Sequence, residues 1–529
     1  MSTIQPTQSL ARSPARSRLT LLVMCLATFM IQVDVTIVTV ALPAIQTGLD
    51  LDTDARLRVM TAYALSLAAF IPVASAVGDR FGHKPVFLTG VALFVIGSAA
   101  CAASATGLAL VTARTVQGAG GAAMLALALS IVTNTFPSEV RARMIGIWAA
   151  VGGTGFGVGP VVGGLILSVT RWPAVFWVNV PVGLLALGGA WAALPRSPGG
   201  VHPLDRRGAL LCATGLLCLT YGLIGSSTRS WASPVVAGPL MLGVLLLVGF
   251  VIWERRAAHP MAPPALLHVP GFVPASSIYL IVYVAFGGIL YFATLLYQDI
   301  AGWSALRTGL SWLFMNVPFL LLAQFGGPLQ RLLPARTLIV TGCLAATCGA
   351  LLLAAADATT PLVLTAAGFT LCGAGFGALM PVLAHVAMSQ VPPRLSGVAS
   401  GLFNTGRQVG TSIGLAVLGY VGATATLSAW HARIAQLSHP LSPQVSAQTQ
   451  HVVSGQEAVI GHTLGPAYRQ AAAASFEHGY HWAVAVGAAI FATGALIGAR
   501  TFPRRGPRRR DPTRRGPRDP GRGMTKGEQ

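Results

Sequence analysis

The chain is a succession of apolar runs about 20 residues long, and no other feature constrains its fold as strongly. Fourteen such runs lie near 19–42, 58–78, 85–105, 108–135, 144–168, 174–194, 208–226, 234–253, 273–297, 305–330, 336–356, 361–389, 396–425 and 480–500. A helix rises about 1.5 Å per residue and the hydrocarbon layer of a bilayer is about 30 Å thick, so each run is the length of one crossing. Lipid offers the backbone no hydrogen-bond partners, which leaves helices that bond within themselves. The expected fold class is an all-α polytopic membrane protein. The seventh and eighth runs are the weakest, so twelve spans is the alternative count. The first run ends at Leu42-Pro43 without a small-residue cleavage site and many similar runs follow, so it reads as a span and not as a signal peptide.

Only 9% of the residues are charged, against about a quarter in a soluble domain, so the position of each charge carries information. With the N-terminus placed in the cytoplasm, 26 of the 35 basic residues fall on the inside and seven outside, with Arg114 and Arg407 within spans. That asymmetry puts both termini in the cytoplasm. Eleven of the basic residues lie in the last thirty positions, in an Arg/Pro/Gly-rich segment expected to be a disordered tail against anionic lipid headgroups, not a nucleic-acid-binding element. The connection 426–479 is then extracytoplasmic and holds His431, His439, His451, His462 and His478, either a pH sensor or simply solvated residues. The seven cysteines sit in or beside apolar runs and suggest neither a disulfide framework nor a metal site.

Asp34 is the one acidic residue deep inside an apolar run. A carboxylate there costs roughly 2.5–3.5 kcal/mol on insertion scales, so it needs a partner, water or a proton. Asp34 precedes the outer end of span one by about 12 Å, and Arg114 lies about 9 Å inside the outer end of span four, at 1.5 Å per residue. The two can meet at similar depth, as a fixed ion pair or as one that opens and closes as Asp34 takes and gives a proton.

Asp79, in SAVGDRFGHKPVFLTG (75–90), sits where a helix C-terminus disfavours an anion. It needs Arg80, Lys84 or the N-terminus of another helix nearby; an ordinary turn with inside-positive charges is the simpler alternative. In span five, Gly155, Gly159 and Gly163 recur every fourth residue beside Pro160, giving a face open to close helix approach and a bend. In span thirteen Asn404, Arg407 and Gln408 share one face, expected to border a cavity, with Gln298 and Asp299 near its mouth. The two lysines, Lys84 and Lys526, follow His83 and Thr525, so no Walker loop exists and ATP-driven pumping is excluded. No HExxH, CxxC or GxSxG pattern supports an enzyme, and no selectivity-filter sequence suggests a channel.

Taken in order, DVTIVTVALPAI (34–45), GDRFGHK (78–84), RTVQGAGGA (114–122), VGPVVGG (158–164), FWVNVPVG (176–183) and SGVASGLFNTGRQVG (396–410) resemble the motifs of the major facilitator superfamily, and specifically of its fourteen-span drug:proton antiporter family, the QacA/EmrB-like multidrug exporters. Ser75 stands where the loop motif usually has glycine and His83 where it usually has arginine, which suggests a looser helix contact. The second-half repeat of that motif is reduced to GPLQRLLPAR (327–336).

The resemblance implies two six-helix bundles plus two additional helices. The expected organisation is a cytoplasmic tail (1–18), an N-terminal bundle (19–195), an inserted pair of spans (196–270), a C-terminal bundle (271–500) containing loop 426–479, and a basic tail (501–529). It also implies a monomer in the bacterial inner membrane that uses no cofactor and exchanges protons for a small lipophilic drug, antibiotic or toxic metabolite. Asp34 and Arg114 are then the proton-coupling pair; Asp79, Arg80, Gly82 and Lys84 the cytoplasmic gate; and Gly155, Gly159, Pro160, Gly163 and Gly164 the antiporter motif. Asp34, Gln117, Asn179, Gln298, Asn404, Arg407 and Gln408 are the cavity candidates. One carboxylate suits a neutral or monocationic substrate. A nutrient importer would lack the span-five motif, and a non-transporting sensor would work through its tail or histidine loop.

Overall fold

A computed structural model describes residues 14–51, 53–195, 199, 204–226, 231–437, 445, 449–453 and 456–503. Every regular element among them is helical, and twelve helices are individually long and apolar enough to cross a membrane. The basic tail beyond 503, residues 1–13 and His439 lie outside the described residues.

The first five runs form α1 (Pro14–Gly48), α2 (Thr53–Phe81), α3 (His83–Ala102), α4 (Gly107–Thr135) and α5 (Ser138–Val169). The sixth forms α6 (Ala174–Trp177) and α7 (Asn179–Ala193). The turn from α2 into α3 depends on Gly82, whose φ of 93° a side chain would strain. The α5 axis bends by 41° between Glu139–Gly155 and Val158–Val169, one turn before Pro160, whose missing N–H and ring disturb the carbonyl four residues earlier. The expected bend is therefore present.

The seventh and eighth runs are a hairpin of α8 (Arg206–Gly225) and α9 (Pro234–Glu254), which supports the larger span count. The second half contains α10 (Phe272–Leu295), continued by a π-helical turn at Leu296–Ile300, then α11 (Ala305–Ser311), α12 (Leu313–Gln324) and α13 (Gly326–Leu332), α14 (Ala335–Ala354), α15 (Leu362–Met388) and α16 (Ser396–Ile434). It ends with the short α17 (Thr449–Val453) and α18 (Glu457–Leu464) and the long α19 (Pro466–Thr501). The tenth expected span is thus three pieces. Pro318 and Pro328 each withdraw an amide donor, and a Gly-Gly pair precedes the second.

Helices α1–α7 pack on one another, and so do α10–α16 with α19. The halves meet reciprocally: α16 packs on α2 and α4, while α5 packs on α12 and α15. The α8–α9 hairpin lies outside, with α8 against α2 and α16. Burial follows these places. In α4, 83% of the most apolar window is buried, whereas in α9 only 17% is, although α9 is the more apolar. The first is a central helix and the second a lipid-facing one.

The 426–479 connection is mostly helix and not a loop. Helices α16 and α19 run on through much of it, and Trp430, Ile434, Val452, Ile460 and Ala472 bury a small core of their own. Arg469 donates to Glu457 Oε1 at 2.7 Å across it. His431 and His462 are exposed, His451 pairs with Gln456 Oε1 at 2.7 Å, and His481 meets the Ala356 carbonyl at 3.1 Å.

Candidate functional site

Asp34 is completely buried in the first half, where three side-chain donors meet its carboxylate. Arg114 Nη1 donates to Asp34 Oδ2 at 2.5 Å, as the depth argument anticipated. Gln117 Nε2 and Asn179 Nδ2 each donate to Asp34 Oδ1 at 2.8 Å. The same nitrogens reach Ser98 Oγ at 3.2 and 3.1 Å, and Ser98 itself donates to the Phe176 carbonyl at 2.9 Å. Arg114 also donates to Gln117 Oε1 at 2.7 Å and lies 4.3 Å from the centre of the Tyr63 ring. An ionised carboxylate is thereby met by three donors, one of them a guanidinium, the arrangement that offsets the several kcal/mol that burying each charge costs. Ser98 and Tyr63 escaped the sequence reading, because each is one of several polar residues in its span and nothing in the sequence sets it apart.

The gate motif forms a different structure. Asp79, at the end of α2, accepts from the backbone amides of Gly397 (3.1 Å) and Val398 (2.8 Å) in the first turn of α16. Of the partners proposed for this acid, the N-terminus of another helix is the one observed, and its dipole favours the anion. His83 Nε2 lies 2.8 Å from Asp79 Oδ1. Lys84 points elsewhere, donating to the carbonyls of Trp191 (2.6 Å) and Leu194 (2.8 Å) at the end of α7. Arg80 lies 5.4 Å from the Phe81 ring. Ser130 and Asn134 on α4 donate to Ser396 Oγ at 2.8 and 2.7 Å, so α2 and α4 both hold the start of α16. Ser75 is buried, and its side chain packs against Gly401 on the opposite helix, where a side chain would not fit.

The glycines of α5 serve two neighbours. Gly155 faces Gln32, Gly159 faces Thr36 and Gly163 faces Ile37, all on α1, while Gly153 faces Phe319 on α12. Gly164 has open space around its Cβ position and packs against nothing.

Between the halves lies a cavity of about 60 Å³, with Thr28, Gln32 and Trp148 from the first half and Tyr283, Asn316 and Arg407 from the second among its walls. Of the cavity candidates, Asn404 and Arg407 line it; Asp34, Gln117, Asn179, Gln298 and Gln408 do not. Asp34, Gln117 and Asn179 are sealed within the first half, and Gln298 sits in the π-helical turn. Helical spacing placed Gln408 beside Arg407, but its side chain is half-buried outside the cavity. Asn404 also joins the halves, donating to the carbonyl of Leu125 at 3.5 Å and to that of Ser400 at 3.0 Å.

Residues 24–415 match the family profile of the Major Facilitator Superfamily. The chain belongs to the major facilitator superfamily. It is 34% identical over 408 residues to the tetracenomycin C resistance and export protein of Streptomyces glaucescens, covering 77% of this chain and 76% of that protein. It is 32% identical over 517 residues to the drug efflux pump JefA of Mycobacterium tuberculosis, covering 92% and 99%. Among solved structures, the proton:xylose symporter XylE superposes with a TM-score of 0.58 at 13% identity, covering 86% of this chain and 97% of that one, a likeness of fold alone. This is a multi-pass membrane transporter whose relatives are named as antibiotic and multidrug exporters.

Proposed function

We propose that this transporter exports small lipophilic compounds from the bacterial cytoplasm across the inner membrane in exchange for protons, with Asp34 as the proton carrier. The observation that carries the reading is the buried Asp34 carboxylate, held by Arg114, Gln117 and Asn179 with no acid beside it among the described residues. A proton arriving at Asp34 discharges the pair and frees Arg114 from its strongest partner. The energy source is the proton gradient, worth about 2.3 kcal/mol per charge per 100 mV of potential.

Coupling to substrate runs through helices and not through direct contact. Gln32 and Thr28 line the cavity on the same helix that carries Asp34, so a shift of α1 against the glycine face of α5 is felt at both sites. Tyr63 bears on Arg114 from α2, the helix on which α16 of the other half packs. The Asp79 end, cytoplasmic by arginine placement, is closed in this conformation by the hydrogen bonds from α2 and α4 to α16. Rocking of the halves would open it and widen the cavity. In everted vesicles, adding an exported compound is expected to release protons from the wild-type protein and none from Asp34→Asn. Undiminished proton release from that variant overturns the proposal.

A further inference from the structure

The central cavity has a chemical bias that the sequence did not disclose. Among the described residues none that lines it is Asp or Glu, yet Arg407 enters it with its side chain 92% buried. Its Nε has no hydrogen-bond partner, and no ion pair joins Arg407 among the described residues. Across the cavity wall Asn316, equally buried, leaves its Nδ2 donor unpartnered. Two buried donors without acceptors are a costly arrangement unless a ligand supplies the acceptor. The rest of the wall mixes small, aliphatic and a few polar residues, Gln32 and Asn404 among them, with an aromatic cluster: Tyr279 stacks on Phe403 at 3.9 Å, Phe286 lies 4.6 Å from Phe376, and Trp148 and Phe319 close the sides. Aromatic faces alone could hold a cation, but one of these faces, Tyr283, already carries the Arg407 guanidinium at 5.9 Å. A second positive charge there meets repulsion with no carboxylate to offset it.

We infer that the substrate is a planar aromatic compound bearing an ionised or carbonyl oxygen, such as an aromatic acid, and not an organic cation. The oxygen accepts from Arg407 Nε and Asn316 Nδ2 while the rings lie among Tyr283, Phe286 and Phe376. This departs from the sequence expectation of a neutral or monocationic substrate, since it removes the cation and admits an anion. It rests on the transporter reading above, but only on where the substrate binds, not on how transport is driven. At 60 Å³ the cavity is smaller than such a ligand, so binding accompanies separation of the halves.

The test is equilibrium binding to the full chain in lipid nanodiscs without any gradient, read by fluorescence quenching of Trp148 and controlled with Trp148→Phe. The probes are 1-hydroxy-2-naphthoate and the cation ethidium. Naphthoate is expected to quench saturably, with binding at least tenfold weaker in Arg407→Gln and intermediate in Arg407→Lys, while ethidium gives no saturable signal. If Arg407→Gln does not fold, Asn316→Leu removes the second donor and is expected to weaken naphthoate severalfold. Saturable ethidium binding, naphthoate binding indifferent to these substitutions, or no binding of naphthoate to folded wild-type protein overturns the inference. Proton-coupled export of ethidium would uphold the transporter reading while refuting this one; naphthoate binding without proton-coupled export would do the reverse.

Discussion

Asp79 at the end of α2 accepts the backbone amide of Gly397 at the start of α16, a bond that crosses from one half of the molecule to the other. With the adjacent Val398 amide it makes the acid an external cap for a helix whose preceding residue, Leu395, supplies no side-chain cap. Charge and dipole interactions of this kind are worth about 0.3–1 kcal/mol when exposed and up to about 2 kcal/mol when partly buried. Asp79→Asn keeps the size and loses the charge. It is expected to shift the population toward the open Asp79 end severalfold, measured as the distance distribution between spin labels on the ends of α2 and α16. An unchanged distribution would show that the cap does not hold the gate.

Ser75 and Gly401 are a size-matched pair across the same contact. A side chain at 401 would collide with Ser75 Oγ, which is fixed by donating to the Pro72 carbonyl at 2.8 Å. Gly401→Ser is expected to cut transport at least tenfold by preventing closure. Adding Ser75→Gly is expected to restore most of it, since the pair is then exchanged and not enlarged. Transport rates of the single and double variants in reconstituted vesicles decide this, and failure of the rescue would separate the two residues.

His83 touches both routes by which the halves meet: Asp79 through Nε2, and Ser130 Oγ at 3.4 Å through Nδ1, with Ser130 bonded onward to Ser396. It borders a cavity of about 610 Å³ that also exposes Asp79, Lys84, Arg141 and Arg394. His83→Ala removes both contacts and is expected to shift the population toward the open Asp79 end severalfold at constant pH, by the same label distances. An unchanged distribution would show that His83 holds neither route.

Gly159 brings α5 close enough to α1 to touch the Thr36 side chain. Gly159→Val is expected to force the helices apart, at a cost of about 1–3 kcal/mol for overpacking. A lowered thermal midpoint together with lost transport would follow, whereas Gly164→Val, which points into open space, is expected to leave both unchanged. Equal loss in the two variants would contradict the facing of α5.

Much of this was legible in the sequence because membrane folding leaves few choices. The apolar runs gave the helices, and Asp34 and Arg114 were paired by depth because a lone charge in lipid must find a partner. Asp79 could be matched to a helix N-terminus but not to α16, since the fold decides which helix arrives there. The error over 426–479 came from treating polar sequence as loop, when Trp430 and Ile460 help build a separate core around extended helices. Cavity membership was the least legible. Helical spacing put Asn404, Arg407 and Gln408 on one face, yet which neighbour covers each depends on packing, and Asp34 is turned into its own half by Gln117 and Asn179.

The central claim is that Asp34 carries the proton while the substrate binds elsewhere. The direct measurement is Asp34→Asn in reconstituted vesicles, assayed for gradient-driven export and for equilibrium exchange of labelled substrate across the membrane. A neutral asparagine mimics the protonated carboxylate and leaves the cavity wall intact, so export is expected to vanish while exchange persists near the wild-type rate. Loss of exchange together with export would place Asp34 in the substrate site, and retention of gradient-driven export would remove it from proton coupling.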